Sequence, residues 1–263
     1  METAIIAGHD SGFAQIIIPE LISQQWRVIS TSRRPQISEH FGKNNLIYSC
    51  DFTNRESIDD CISQMSQHCS DWKLLVLSIG MLNPIDLLSK CPFDEWEQSI
   101  QVNFINQLYF IQVLLNSTDL RVDRKILTFA GSGTNSAPVN FSAYTLSKIA
   151  LIKAMELLAA EYPSQTFVSL GTGWMNTPIH QQTLDAGARA GIVLFETVRR
   201  KASDDFGKFQ MLLDFIVWVL STPRELISGR NFSLQGDDWQ SRDFIDKLGN
   251  SSQTFKLRRM NQP

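Results

Sequence analysis

Tyr144 and Lys148 stand four residues apart within FSAYTLSKIALIKAMELLAAEYP, residues 141–163. On an α-helix that spacing stacks a phenol and an ammonium on one face, one turn apart. Such a pair can move a proton, because the phenol carries it and the neighbouring positive charge favours its departure. Two amphipathic side chains on an ordinary core helix would have the same spacing. The helix itself is well marked. Leu146, Ile149, Ala150, Ile152, Ala154, Leu157 and Leu158 form a wide apolar stripe, and Pro163 ends it.

The surrounding elements decide what the pair is for. Residues 3–7 are a short apolar run, followed by Gly8-His9-Asp10-Ser11-Gly12-Phe13-Ala14 and a helical pattern from Ile16 to Ile22. Strand, glycine-bearing turn and helix is the order that aims backbone N–H groups and a positive helix end at a pyrophosphate. A second strand over 26–32 ends in Ser32-Arg33-Arg34. An NAD-selective site places an acid there, and a guanidinium instead suits the extra phosphate of NADP. Further strands are expected at 46–48, 72–79, 125–130 and 166–170, with helices at 57–69 and 93–115 between them. Residues 131–136, GSGTNS, form a small polar loop ahead of the Tyr144 helix. This rhythm predicts an α/β, doubly wound parallel sheet, a Rossmann fold, with its ligand at the carboxyl ends of the strands. Residues 178–208 are less regular, broken by Gly187 and Gly191, and read as a helical substrate lid on a single domain spanning 1–263. A helix at 209–221, a strand at 229–234 and a tail with Lys256, Arg258 and Arg259 complete the chain.

Composition narrows the partners. At 263 residues with 43% hydrophobic and 19% charged residues, the chain has ample material for one core. A net charge of −3 provides no basic field for nucleic acid. The apolar run 215–220 is far too short to span a membrane, for which roughly 20 residues are needed. No basic stretch leads into an apolar run at the N-terminus, so no secretory signal is expected, and the location expected is cytoplasmic. Cys50, Cys61, Cys69 and Cys91 show no metal-ligand spacing and read as reduced thiols with no metal. The apolar character of the 93–115 and 141–163 helices predicts self-association as a homodimer or homotetramer.

Taken in order, these residues resemble the short-chain dehydrogenase/reductase family over about 3–234. The family glycine motif matches Gly8-x-x-x-Gly12-x-Ala14, its aspartate after the third strand matches Asp51, its helix asparagine matches Asn103, and its tyrosine–lysine pair matches Tyr144 and Lys148. The loop Thr172-Gly173-x-x-x-Thr177 matches the segment that contacts the nicotinamide amide. The resemblance implies a dinucleotide held at successive strand ends: Gly8, Ser11, Gly12 and Phe13 after the first, Ser32 and Arg33 after the second, Asp51 and Phe52 after the third. Ser78 and Gly80 would follow the fourth, Thr172, Gly173, Met175 and Thr177 the sixth, with Lys148 on the ribose. The cofactor implied is NADP in preference to NAD. FAGSGT, LDAGARAG and SGRNFSLQGDDW are similar to segments of members acting in polysaccharide and nucleotide-sugar metabolism.

By the same resemblance the protein interconverts a ketone and a secondary alcohol, with Tyr144 as acid/base, Lys148 supporting it and Asn103 holding a water. The substrate expected is a sugar-like or other small carbonyl compound; an acyl-chain (3-oxoacyl) reductase and a non-catalytic dinucleotide-binding regulator or partner subunit are the rival readings. Three departures stand out. Ala14 replaces a glycine, Ser78-Ile79 stands where the family has an asparagine pair, and the catalytic serine's place is Gly131. Ser132, one residue later, is the nearest hydroxyl, with Ser136 and Ser142 as alternatives.

Overall fold

The computed structural model describes residues 1–34, 45–201 and 206–259. Seven strands, β1 Thr3–Ala7, β2 Arg27–Ser32, β3 Asn45–Ser49, β4 Trp72–Leu77, β5 Lys125–Phe129, β6 Thr166–Gly171 and β7 Arg230–Ser233, pair in parallel in the order β3-β2-β1-β4-β5-β6-β7. The helices are α1 Ala14–Ser23, α2 Arg55–Met65, α3 Phe93–Ile100, α4 Asn106–Asn116, α5 Ser142–Glu161, α6 Gln181–Ala186, α7 Ile192–Lys201, α8 Phe206–Ser221, α9 Arg224–Ile227 and α10 Arg242–Asn250. The expected doubly wound sheet is therefore the fold.

Alternation along the strands sorts side chains into two cores. Ile6, Val28, Val76, Leu127 and Val168 meet α1, α8 and α10 on one face. Ile5, Ile29, Leu75, Ile126 and Phe167 meet α2, α4 and α5 on the other. Each fully buried aliphatic side chain contributes roughly 1.5–3 kcal/mol, which is why the strands are apolar on both sides. Between β1 and β4 the strand order reverses direction, which opens a cleft above their carboxyl ends.

The helix expected over 93–115 is interrupted. Residues Gln101–Ile105 form a π turn between α3 and α4. Its cause is tertiary. Asn103, fully buried, accepts from the Met81 N–H at 2.9 Å and donates to the Met81 carbonyl at 2.8 Å and to Ser99 Oγ at 3.1 Å. That double tie to the loop after β4 requires the helix to bulge there.

The segment expected to act as a lid comprises a 3₁₀ turn Pro178–His180, α6, a second 3₁₀ turn Gly187–Ala190, and α7. Gly187 and Gly191 both have positive φ, so each break uses a conformation that glycine adopts without strain. Residues 202–205 of this segment lie outside the described residues. A small apolar cluster of Leu82, Ile85, Phe141, Tyr144, Ala186 and Ala190 joins this segment to the start of α5. Gln182 Oε1 clasps it further, accepting from the N–H groups of Leu82 at 2.8 Å and Asn83 at 3.1 Å. In the tail, Arg258 grips Glu156 of α5 through two hydrogen bonds of 2.6 and 3.0 Å. All four cysteines are free thiols. Among the described residues no helix is long and apolar enough to cross a membrane, and no group of three His, Cys, Asp or Glu could hold a metal.

Candidate functional site

A cavity of about 510 Å³ opens above the carboxyl ends of β1, β2, β3 and β4. One wall is the glycine turn after β1, with Gly8, Asp10, Ser11, Gly12 and Phe13; the next is the end of β2, with Ser32 and Arg33. Asp51 and Phe52 follow β3, Ser78 and Gly80 follow β4, and Thr177 closes the far side. Eleven residues predicted to hold a cofactor thus come together: Gly8, Ser11, Gly12, Phe13, Ser32, Arg33, Asp51, Phe52, Ser78, Gly80 and Thr177.

The glycines have physical reasons. Gly8 has φ +93°, and a Cβ there would crowd Ser78 and Ile79 at 3.1–3.3 Å. A Cβ on Gly12 would lie 2.7 Å from Thr177 Cγ2, so only glycine lets the β6 loop lie against the turn. Ser11 Oγ accepts from the Ala14 N–H at 3.0 Å and donates to Ser78 Oγ at 2.9 Å. Serine at 78 therefore ties the turn to β4, continuing to the Ala7 carbonyl at 2.8 Å. No described group accepts from the Gly12 or Phe13 N–H, which leaves two donors at the α1 N-terminus for an anion. These donors, the shape of the cradle and the exposed Arg33 fit a dinucleotide phosphate.

Three predicted residues stand elsewhere. Thr172 Oγ1 donates to the Gly173 carbonyl at 3.0 Å, a Cβ on Gly173 would lie 2.6 Å from Gln235 Nε2, and Met175 is buried in the core. None of them lines the cavity. Sequence reasoning missed two others. Asp10 Oδ2 accepts from Ser32 Oγ at 2.5 Å and links the glycine turn to β2. Gln107 donates to the carbonyls of Ile79 and Val102 at 3.1 and 3.3 Å and pins the end of β4 to the π turn. A polar residue on an otherwise apolar helix was the signal for Gln107; Asp10 had none beyond its place in the turn.

Tyr144 and Lys148 lie next to this cavity, on the first turns of α5. Both are nearly buried, at 7% and 3% exposure. The ammonium stands 5.8 Å from the phenol ring centroid. Burial pushes the Tyr144 phenol up to about 12, and the nearby Ser132 backbone N–H opposes the rise. Burial also pulls Lys148 down to about 8. Gly80 brings the machinery together: a Cβ there would lie 3.6 Å from Asn103 Oδ1 and 3.9 Å from Lys148 Nζ. Of the loop hydroxyls, Ser142 Oγ accepts from Trp96 Nε1 at 3.0 Å, and Ser132 and Ser136 are exposed.

The glycine turn and the buried phenol–ammonium pair thus meet at the carboxyl edge of a doubly wound parallel sheet. The chain matches the family model described as short chain dehydrogenase over residues 2–187 and belongs to that family, one of NAD(P)-dependent dehydrogenases and reductases. The NADP-dependent 3-hydroxy acid dehydrogenase YdfG of Shigella flexneri is 25% identical over 115 residues, 42% of this chain. That match spans 46% of the relative, about half its length. Among solved structures, the KRED1-Pglu enzyme superposes with a TM-score of 0.78 at 16% identity, covering 88% of this chain and 100% of that one. A variant of actinorhodin polyketide ketoreductase with NADPH superposes at 0.74 and 15% identity, covering 88% of this chain and 95% of that one. At such identities these structures bear on the fold alone.

Proposed function

We propose that this protein is an NADPH-dependent reductase that converts a small ketone to a secondary alcohol. The observation that carries the reading is the buried Tyr144–Lys148 pair beside a cavity whose glycine turn offers free N–H donors. When bound, the cofactor supplies the hydride. Gly8, Ser11, Gly12 and Phe13 would seat its pyrophosphate, and Asp51 and Phe52 would flank its adenine. Ser78, Gly80 and Thr177 would border the nicotinamide end, and Lys148 would reach the ribose. Thr172, Gly173 and Met175 would act by shaping the loop that carries Thr177. Tyr144 gives its proton to the substrate oxygen, and Lys148 lowers the cost of the phenolate left behind. Ser132 would donate to the substrate oxygen and polarise the carbonyl. Asn103, whose side chain is committed to Met81 and Ser99, supports a water through the π turn it creates.

Arg33 is the residue we assign to the 2′-phosphate. It is exposed on the cavity rim, free to swing onto an anion. The NADP dependence of the Shigella relative supports the same preference. Arg33→Ala should weaken NADPH at least about tenfold while leaving NADH within about twofold, roughly the contribution of a charge-assisted hydrogen bond. Isothermal titration of both cofactors checks it, and equal weakening would remove the 2′-phosphate contact.

For the substrate, a sugar-like carbonyl compound is favoured by three carboxamides that line the cavity, Asn83, Gln98 and Gln182, the last offering its NH₂ while its Oε1 holds Leu82 and Asn83. Amides suit a polyhydroxylated molecule better than an acyl chain. NADPH consumption with keto-sugars set against 3-oxoacyl esters tests this; faster turnover of the esters would replace the sugar assignment with the acyl one. A cytoplasmic homodimer or homotetramer is the assembly we propose, because Leu146 and Leu157 of α5 and Phe93 of α3 are more than half exposed. Sedimentation velocity giving a monomer at micromolar concentration would contradict it.

A further inference from the structure

An NAD-selective dinucleotide fold presents a carboxylate to the ribose hydroxyls near the end of its second strand, and here that place holds Arg33. A carboxylate is nevertheless present. Asp10, in the glycine turn after β1, lines the same cavity as Ser32 and Arg33 and is exposed. Its Oδ2 accepts from Ser32 Oγ at 2.5 Å, which fixes the acid against the end of β2. Among the described residues no hydrogen bond reaches Asp10 Oδ1, which leaves an acceptor for a ligand.

Ser32 shows what this carboxylate does to the cavity. A hydroxyl has one hydrogen to give. Ser32 Oγ accepts from the Arg34 N–H at 3.0 Å and gives its hydrogen to Asp10, so it has none for a phosphate. Asp10 thus opposes an anion at the end of β2 in two ways, by its charge and by withdrawing a donor. Toward a neutral hydroxyl its effect is the reverse, since a carboxylate only accepts and does so strongly. Arg33, exposed on the cavity rim, acts in the other sense and favours the anion.

We propose that Asp10 is a specificity-determining residue, which accepts from a ribose hydroxyl of NADH and offsets Arg33 at the 2′-phosphate of NADPH. The inference deepens the cofactor assignment made above and rests on it. Selectivity is a difference between two affinities, and here two side chains of opposite charge set it from neighbouring strand ends. NADPH is preferred by a margin that Arg33 widens and Asp10 narrows.

Asp10→Asn separates this role from a purely structural one. Asparagine Oδ1 can still accept from Ser32 and hold the turn to β2, while the charge is gone. Isothermal titration should show NADPH bound about tenfold more tightly than by wild type, with NADH unchanged or up to about fivefold weaker. The gain for NADPH should shrink in about 1 M salt, where the Debye length is about 3 Å. Asp10→Ser, which removes the charge without introducing a carboxamide, should move both affinities in the same directions, and thermal denaturation identifies which variants are folded. NADPH affinity unchanged or lowered in the folded variants would overturn the proposal. Equal tightening of both cofactors would overturn it as well, because the charge would then act on the pyrophosphate they share. Wild-type protein that binds neither cofactor, or an Arg33→Ala variant that weakens both alike, would instead overturn the cofactor assignment and this proposal with it.

Discussion

Tyr144→Phe is expected to lose turnover by about 10³-fold or more while its affinity for NADPH stays within about threefold. Phenylalanine keeps the ring that packs against Leu82, Ile85 and Phe141 and removes only the atom that carries the proton. The cavity residues predicted to hold the dinucleotide come from other strand ends, so binding has no reason to fall. The size of the loss follows from what a positioned acid contributes, roughly 10²–10⁴-fold. It should approach the upper part of that range, because no other described acid stands beside the phenol to take over. Binding is read from quenching of Trp174, which stacks on His180 at 4.7 Å in the loop that brings Thr177 to the cavity. Loss of both binding and turnover would make Tyr144 a structural residue.

Lys148→Met should abolish turnover near neutral pH and, in the same step, stabilise the cofactor-free protein. Burial lowers the Lys148 pKa from the ordinary 10.5 to about 8. Between those two values the unfolded chain holds more protons than the folded one, so stability rises with pH across that window. Below pH 8 both forms are protonated, and the folded protein carries the full cost of a buried ammonium, about 3 kcal/mol. Methionine fills a similar volume without charge. At pH 7 the variant should therefore be more stable than wild type by up to that amount, and the difference should shrink toward pH 10.5. Tyr144, raised to about 12, titrates in both proteins and cancels from the comparison. Chemical denaturation at pH 7 and pH 10 checks the sign. A variant less stable than wild type at both values would mean that the ammonium is compensated in the fold, not strained by it.

The two effects in Lys148→Met have one origin. A charge placed where it is costly in the resting protein is one that can act strongly on a neighbouring phenolate. The same burial that raises Tyr144 makes its proton hard to release unaided. The pair is therefore poised by opposing shifts, with burial raising the phenol and lowering the ammonium.

Much of this was legible in the sequence. The strands were short apolar runs ending in Gly8, Arg33, Asp51, Gly80 and Gly131, and a parallel sheet forces all such ends to one edge. Tyr144 and Lys148 were legible because helical spacing is local. The features that were not legible depend on contacts distant along the chain. The π turn at Gln101–Ile105 arises from Asn103 bonding a loop 22 residues earlier. The Gln182 clasp joins residues 100 apart. Counting back from Tyr144 leads to Gly131, whose φ of +71° no residue type reveals by itself. From sequence the loop after β6 reads as one cofactor-binding unit; the structure divides it, with Thr177 at the cavity and Met175 in the core.

The most direct test of the reductase assignment is label transfer from NADPH deuterated at the reactive nicotinamide carbon, with the keto-sugar or oxoacyl compound that turns over fastest. Deuterium should appear on the carbinol carbon of the product with wild-type protein, and none with Tyr144→Phe under conditions where that variant is saturated with cofactor. Cofactor bound by the wild-type protein with no label transferred to any carbonyl compound would contradict the assignment and leave a protein that holds a dinucleotide without reducing anything.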